Sequence, residues 1–195
     1  MTGDPFDADD NATPLAPEER NGLIPSHVTL KGELNELELQ NILEADRWAF
    51  SRKRNVASEP FLRGLHRRMF DRVWKWAGKY RKSERNIGVE SYRVEPELRQ
   101  LLSDVGYWID HKSFPPDEIA VRFHHRLVSI HPFPNGNGRW SRLAADLLIV
   151  QMGGERFSWG RANLQNAGDT RQAYIEALKA ADRHDIALLV LFARS

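Results

Sequence analysis

Twelve consecutive residues, His131-Pro132-Phe133-Pro134-Asn135-Gly136-Asn137-Gly138-Arg139-Trp140-Ser141-Arg142, bring together an imidazole, a Gly-Asn-Gly turn and two guanidinium groups. Leu143, Leu147 and Val150 then recur at helical spacing, so the turn sits at a helix N-terminus. Unpaired backbone N–H groups and the helix dipole attract anions there. Gly136 and Gly138 let the backbone bend and approach a ligand, and the Asn137 side-chain amide adds a donor. Arg139 and Arg142 lie three residues apart on one face of the first turn, as two clamps for phosphate. A histidine at the entrance of such a cradle can take a proton from an attacking hydroxyl. An Asn-Gly-Asn-Gly run is also an ordinary loop, and arginines at a helix start also serve solubility. The combination is what points to phosphoryl or nucleotidyl transfer.

The stretch resembles the signature of the Fic (Fic/Doc) family, H-x-F-x-[D/E]-G-N-G-R-x-x-R, and within that family the branch called mobile mystery protein B. Every fixed position matches except Asn135, which stands where an acidic residue is usual. The resemblance covers about residues 55–190. It implies a protein adenylyltransferase that moves AMP from ATP onto a Ser, Thr or Tyr hydroxyl of a target protein. It makes His131 the catalytic base, and Gly136, Asn137, Gly138, Arg139 and Arg142 the ATP-binding set. Phe133 becomes a core anchor, and Tyr174 borders the adenine pocket. It also implies Mg²⁺ at residue 135, for which the neutral amide oxygen of Asn135 is a weaker ligand than a carboxylate. A Doc-like phosphotransferase moving the γ-phosphate is one alternative. A nucleotide-binding module without transferase activity is another, and a toxin-like protein silenced by an antitoxin or by its own helix fits either enzyme.

Elements on either side must position this turn. Pro115-Pro116-Asp117 starts a helix running to about Ile130, with Ile119, Phe123, Leu127 and Ile130 inward. Leu98, Leu101, Leu102, Val105, Trp108 and Ile109 mark the helix before it. Leu62, Leu65, Met69, Val73 and Trp76 step at 3, 4, 4 and 3, which predicts one amphipathic helix ending at Gly78. Asn86 to Val94 mixes β-branched and aromatic residues around Gly88, the pattern of a short hairpin. By resemblance this is the Fic flap, in which Ile87, Gly88 and Val89 position a target segment by strand pairing. Residues 170–182 form a helix carrying Tyr174 and Leu178, and Asp185 is placed to cap the last helix.

Upstream, residues 1–20 hold six acids and a single base among three prolines, which reads as an acidic, disordered arm. Residues 21–54 form a lead-in and a helix from Glu33 to about Ser51, with Leu39, Ile42, Leu43 and Phe50 on its inner side. Thr29-Leu30-Lys31-Gly32-Glu33 is similar to the inhibitory [S/T]-x-x-x-E-[G/N] pattern of Fic proteins, with Leu34 replacing the last residue. The resemblance makes Glu33 an inhibitory partner of Arg142, whereas its plain role is to offset the helix dipole. Residues 55–195 form the Fic core domain.

Composition narrows the rest. Net charge is +1, and the twelve Lys and Arg of residues 52–85 read as a solvated or ATP-steering face rather than a nucleic-acid surface. With no cysteine, disulfides and cysteine-held zinc are excluded. His27, His66, His111, His124, His125 and His184 read as structural or surface residues, because no carboxylate at ligand spacing completes a metal set. No apolar run of membrane length and no signal-peptide pattern is present, so a cytoplasmic protein is expected. The fold class expected is all-α, a Fic-type helical bundle around a helix–loop–helix with one short β-hairpin flap.

Overall fold

A computed structural model describes residues 20–160 and 167–195. The expected arm (1–20) lies almost wholly outside the described residues. Among the described residues seven α-helices occur in order: α1 (Lys31–Phe50), α2 (Glu59–Phe70), α3 (Val94–Asp110), α4 (Pro116–Ile130), α5 (Asn137–Gln151), α6 (Ala167–Asp182) and α7 (Ala187–Arg194). The architecture is all-α.

α4 and α5 pack on each other at the centre, with α1, α2 and α3 on one side and α6 and α7 on the other. Leu62, Leu65, Met69, Leu98, Phe123, Leu127, Ile130, Phe133 and Trp140 fill the first core. Ala120, Val121, Ala145, Ile149, Phe157, Trp159 and Leu189 fill the second. The α5 run Leu143 to Ile149 is buried all round, as a helix enclosed between two cores must be. Pro116 begins α4 at a position where its missing N–H costs nothing, with Asp117 and Glu118 in the first turn. The Ala187 N–H donates to Asp185 at 3.1 Å, the cap expected for α7.

Three expectations give way. α2 stops at Phe70 rather than Gly78, because residues 73–75 turn out to meet the lead-in. Ile24 N–H donates to the Val73 carbonyl and Lys75 N–H to that of Gly22, both at 2.8 Å. Leu23 and Trp74 make an isolated antiparallel bridge there. Val73 and Trp76 are nonetheless buried, so the apolar stripe was sound and its continuity as a helix was not.

α1 turns a different face inward. Leu39 and Leu43 are 55% and 52% exposed, while Leu34, Glu38, Asn41, Ala45 and Ala49 are buried. Polar partners choose that face. The Asn41 amide donates to the Arg68 carbonyl at 2.7 Å and accepts the Arg72 N–H at 3.1 Å. Glu38 accepts the Trp74 indole N–H at 2.6 Å. The two Asn41 bonds satisfy backbone groups that the end of α2 leaves open.

Residues 86–94 form no hairpin. They make a run of bends followed by a 3₁₀ turn at Ser91–Arg93. Side chains take the backbone groups that a second strand would have used. Val89 carbonyl accepts from the Arg81 guanidinium, and Ser91 N–H donates to Glu84 at 3.0 Å. The segment keeps its place as an exposed loop, and "flap" below means residues 82–90.

Candidate active site

The signature turn joins the C-terminus of α4 to the N-terminus of α5. His131 caps α4 with φ 53° and ψ 60°, a left-handed conformation that a β-substituted residue adopts only when its surroundings impose it. Its carbonyl is thereby turned to the Arg81 Nε–H, at 2.6 Å. His131 is 6% exposed, and its pKa falls to about 4. Loss of hydration is the main cause, and the neighbouring Arg81 charge adds to it, partly offset by a hydrogen bond with the Val128 backbone. At neutral pH the imidazole is therefore unprotonated and able to accept a proton.

Beyond His131 the turn is tied to itself. The Asn137 side chain accepts the Phe133 N–H at 3.0 Å and donates to the Phe133 carbonyl at 2.8 Å. One N–H of its amide and the amide oxygen are thus committed to the loop, which leaves the second amide N–H and the backbone N–H as donors. Asn135 is also turned inward, its Oδ1 accepting the Gly136 N–H at 2.5 Å. That bond withdraws the Gly136 N–H from the anion hole, a correction to the expected set. Gly136 has φ 78°, and a Cβ on it would lie 2.5 Å from Phe70, so this position requires glycine. The Trp140 N–H is the first donor of α5 to find a helical acceptor, the Gly136 carbonyl at 3.0 Å. As the first N–H groups of α5, those of Asn137, Gly138 and Arg139 have no acceptor within the helix, an edge of donors that suits an anion.

Both arginines stand beside that edge. Arg139 lies over the Phe70 ring at 5.0 Å and pairs with Glu38 at 2.6 Å. Arg142 lies over the Tyr174 ring at 5.5 Å, and its Nε donates to the Gly138 carbonyl at 3.2 Å. Tyr174 bonds His124 Nε2 through its hydroxyl at 3.0 Å, and that hydroxyl lies 3.9 Å from where a Cβ on Gly138 would be. Tyr174 therefore lies beside Gly138 and Arg142 of the signature turn.

Glu33 is not at the site. Its carboxylate accepts the Thr29 and Leu30 N–H groups at 3.1 and 3.2 Å, capping its own helix. The carboxylate that α1 delivers to the signature is Glu38, more than one turn further on. Nothing in the sequence marks Glu38, because its partners Trp74 and Arg139 are distant along the chain.

The donor set does not fit a protein-held Mg²⁺. The one candidate ligand, Asn135 Oδ1, is engaged by Gly136. Among the described residues no group of three His, Asp or Glu side chains converges on a metal position.

Two further residues support the turn. His66 is fully buried; its Nδ1 accepts the Gly78 N–H at 3.0 Å, so its Nε2 carries the proton donated to the Asn135 carbonyl at 3.0 Å. It stacks on Phe133 at 3.6 Å, and burial lowers its pKa to about 3. Trp140, also fully buried, donates to the Leu62 carbonyl at 2.9 Å. His66 sits beside the stripe Leu62-Leu65-Met69, a placement that signals burial but not its bond to the loop.

A family model described as Fic/DOC matches residues 57–149. The chain superposes on the AMPPNP-bound BepC protein of Bartonella tribocorum with a TM-score of 0.66, at 20% identity, over 92% of this chain and 97% of that one. The chain belongs to the Fic/DOC family. The Fic fold is equally recognisable in Fic-1 of C. elegans, at a TM-score of 0.67 and 22% identity, covering 91% of this chain and 52% of the other. By sequence, the protein adenylyltransferase Fic of Aedes aegypti is 30% identical over 132 residues, 66% of this chain and 25% of that protein. A probable protein adenylyltransferase of Aquifex aeolicus is 26% identical over 161 residues, 80% of this chain and 46% of that protein. The chain thus spans less than half the length of either of these curated relatives. No helix among the described residues is long and apolar enough to cross a membrane.

Proposed function

We propose that this Fic protein transfers AMP from ATP to a Ser, Thr or Tyr hydroxyl of another protein. The observation that carries the reading is one turn that sets a neutral, buried imidazole at the end of α4 against free N–H groups and two guanidiniums at the start of α5. ATP phosphates rest on the Asn137, Gly138 and Arg139 N–H groups, with Arg139 and Arg142 beside them. A hydroxyl presented along the flap loses its proton to His131 as its oxygen attacks the α-phosphorus. The bond to pyrophosphate breaks, and the departing charge is held by the same donors. The reaction needs positioning and charge stabilisation, which this site has, and no protein nucleophile.

The Glu38–Arg139 pair favours a restrained resting state, because the guanidinium that would meet phosphate is already neutralised. Self-restraint is accordingly assigned to Glu38 in place of Glu33. A partner protein that drew α1 away would act as an activator, and one that clamped it as an antitoxin.

The test is ATP labelled at either the α- or the γ-phosphorus, followed onto protein for wild type and His131→Ala. Label from the α-position alone is expected, reduced about 10²–10⁴-fold in the variant. Label from the γ-position would mean phosphotransfer, and nucleotide binding with no label on any offered protein would mean a binding module.

A further inference from the structure

Arg81 has no place in the signature, yet its bonds reach both the signature turn and the flap. Its side chain is fully covered. Its own N–H donates to the Pro132 carbonyl at 2.9 Å, and its Nε donates to that of His131 at 2.6 Å. The two terminal nitrogens reach Ser83 at 3.0 Å, Ile130 at 3.5 Å and Val89, all through backbone carbonyls. One guanidinium therefore bridges both ends of the flap and the residues that carry the base.

Gly88 brings the other side of the contact. At φ 98° it lies so close to the α4 terminus that a Cβ would be 2.6 Å from His131 Cβ, 3.1 Å from Arg81 Nη2 and 3.2 Å from the Ile130 carbonyl. The flap thus rests on His131 with nothing between them. It contains no strand to set its own height. Glu84 closes its base by accepting the Ser91 N–H and hydroxyl, the latter at 2.7 Å, and lies 3.8 Å from Arg81.

We infer that Arg81 is a positioning residue that fixes the flap over His131, so that one guanidinium sets the distance between a presented hydroxyl and its base. Several carbonyls in different directions need a planar fork of donors, which lysine cannot supply. The purpose given to this contact rests on the transfer reading above, whereas the contact itself does not. Arg81 also places a fixed positive charge beside His131, with Arg85 adding a smaller effect of the same sign, and both disfavour the imidazolium.

The test compares full-length wild type, Arg81→Lys, Arg81→Met and Gly88→Ala by amide hydrogen exchange, by NMR titration of the His131 ring, and by ATP binding. Arg81→Lys keeps the charge and loses the fork. It should raise exchange in residues 83–91 on the order of tenfold while leaving the His131 midpoint near its wild-type value. Arg81→Met should do both, freeing the flap and moving the midpoint upward. Gly88→Ala should free the flap with Arg81 intact, which covers the case in which Arg81→Met fails to fold. ATP affinity should stay within about twofold in all three, since the cradle is held by other bonds. The inference is overturned if exchange rises equally through α5, which would make Arg81 a general support of the fold. It is equally overturned if flap exchange does not change. A wild-type chain that binds no ATP would defeat the transfer reading and leave the exchange and titration results to decide this one.

Discussion

The signature turn, residues 131–139, adds bonds of its own to the outside support of Arg81 and His66, whereas the flap that leans on it is held chiefly by Arg81 and by its base. Asn137 bonds both backbone groups of Phe133, Asn135 bonds Gly136, and Phe133 and Trp140 are fully buried beneath them. The flap has Ile87 at 47% exposure, and it is anchored by Arg81, which precedes it, and by the Glu84–Ser91 bonds at its base. A part that must hold donors at a fixed geometry for charge developing in a transition state gains from internal bonds, because they cost no reorganisation during reaction. A part that meets variable protein segments gains from an exposed backbone edge and an external hinge. On the transfer reading proposed above, this difference separates chemistry from recognition, and it can be tested at each level of energy.

The largest expected effect is acid loss of stability, and it should originate at the turn. His66 and His124 have pKa values lowered to about 3, and His131 to about 4, with burial the first cause in each. His66 bonds the turn, His124 bonds Tyr174 beside it, and the flap contains no histidine. From the ordinary histidine value of 6.5 down to the lowered values, the unfolded chain binds protons that the folded chain refuses. Stability therefore starts to fall below pH about 6.5 and keeps falling until the folded values are reached, by up to about 1.4 kcal/mol per pH unit for each histidine. The buried Asp146 carboxyl, raised by burial, pulls weakly the other way. Denaturant unfolding at pH 7, 6 and 5 checks this, and His66→Gln should flatten the slope by roughly one histidine's share. Equal stability at pH 5 and pH 7 would mean that these rings are not buried neutral.

Next in size is Asn137→Ala. It leaves the Phe133 N–H and carbonyl buried without partners, a cost of about 2–4 kcal/mol in unfolding free energy. Transfer should be lost along with stability, because the anion-binding edge follows the same loop. Loss of transfer at unchanged stability would show a direct ligand role for the side chain. This residue also shows what could be read in advance and what could not. Residue types and spacing put His131, the glycines and both arginines at one turn between two helices, and that placement holds. The direction of a short polar side chain was not legible, since an asparagine that binds a ligand and one that locks a loop have the same spacing.

Smaller again is Glu38→Gln, expected to tighten ATP binding several-fold, about 1 kcal/mol, by releasing Arg139 while keeping an acceptor for the Trp74 indole. Isothermal calorimetry on the two proteins decides it, and unchanged affinity would mean that the pair does not compete with phosphate. Here periodicity misled. Leu39 and Leu43 have the right spacing for a buried face, but the polar partners on α2, on the 72–74 turn and on α5 draw Glu38 and Asn41 inward instead. Those partners lie 27 to 101 residues away, beyond any local pattern. Arg81 escaped notice for the same reason, as one arginine in a basic stretch whose carbonyl acceptors come from two separate segments, 83–89 and 130–132.

The smallest effect on stability, and the one that separates the two regions most cleanly, is Ile87→Ala. The side chain is half exposed on the flap, and its removal should change unfolding free energy by no more than about 0.5 kcal/mol. ATP affinity should not move, because Ile87 is outside the cradle. Transfer to a protein hydroxyl should still fall several-fold, through KM for the target rather than through the rate at saturation, since an exposed flap side chain contributes contact with a bound segment and not charge stabilisation. A stability loss as large as that of Asn137→Ala would show that Ile87 is packing. In that case the flap would belong to the same internally bonded unit as the turn, and recognition would have to be sought elsewhere on the surface.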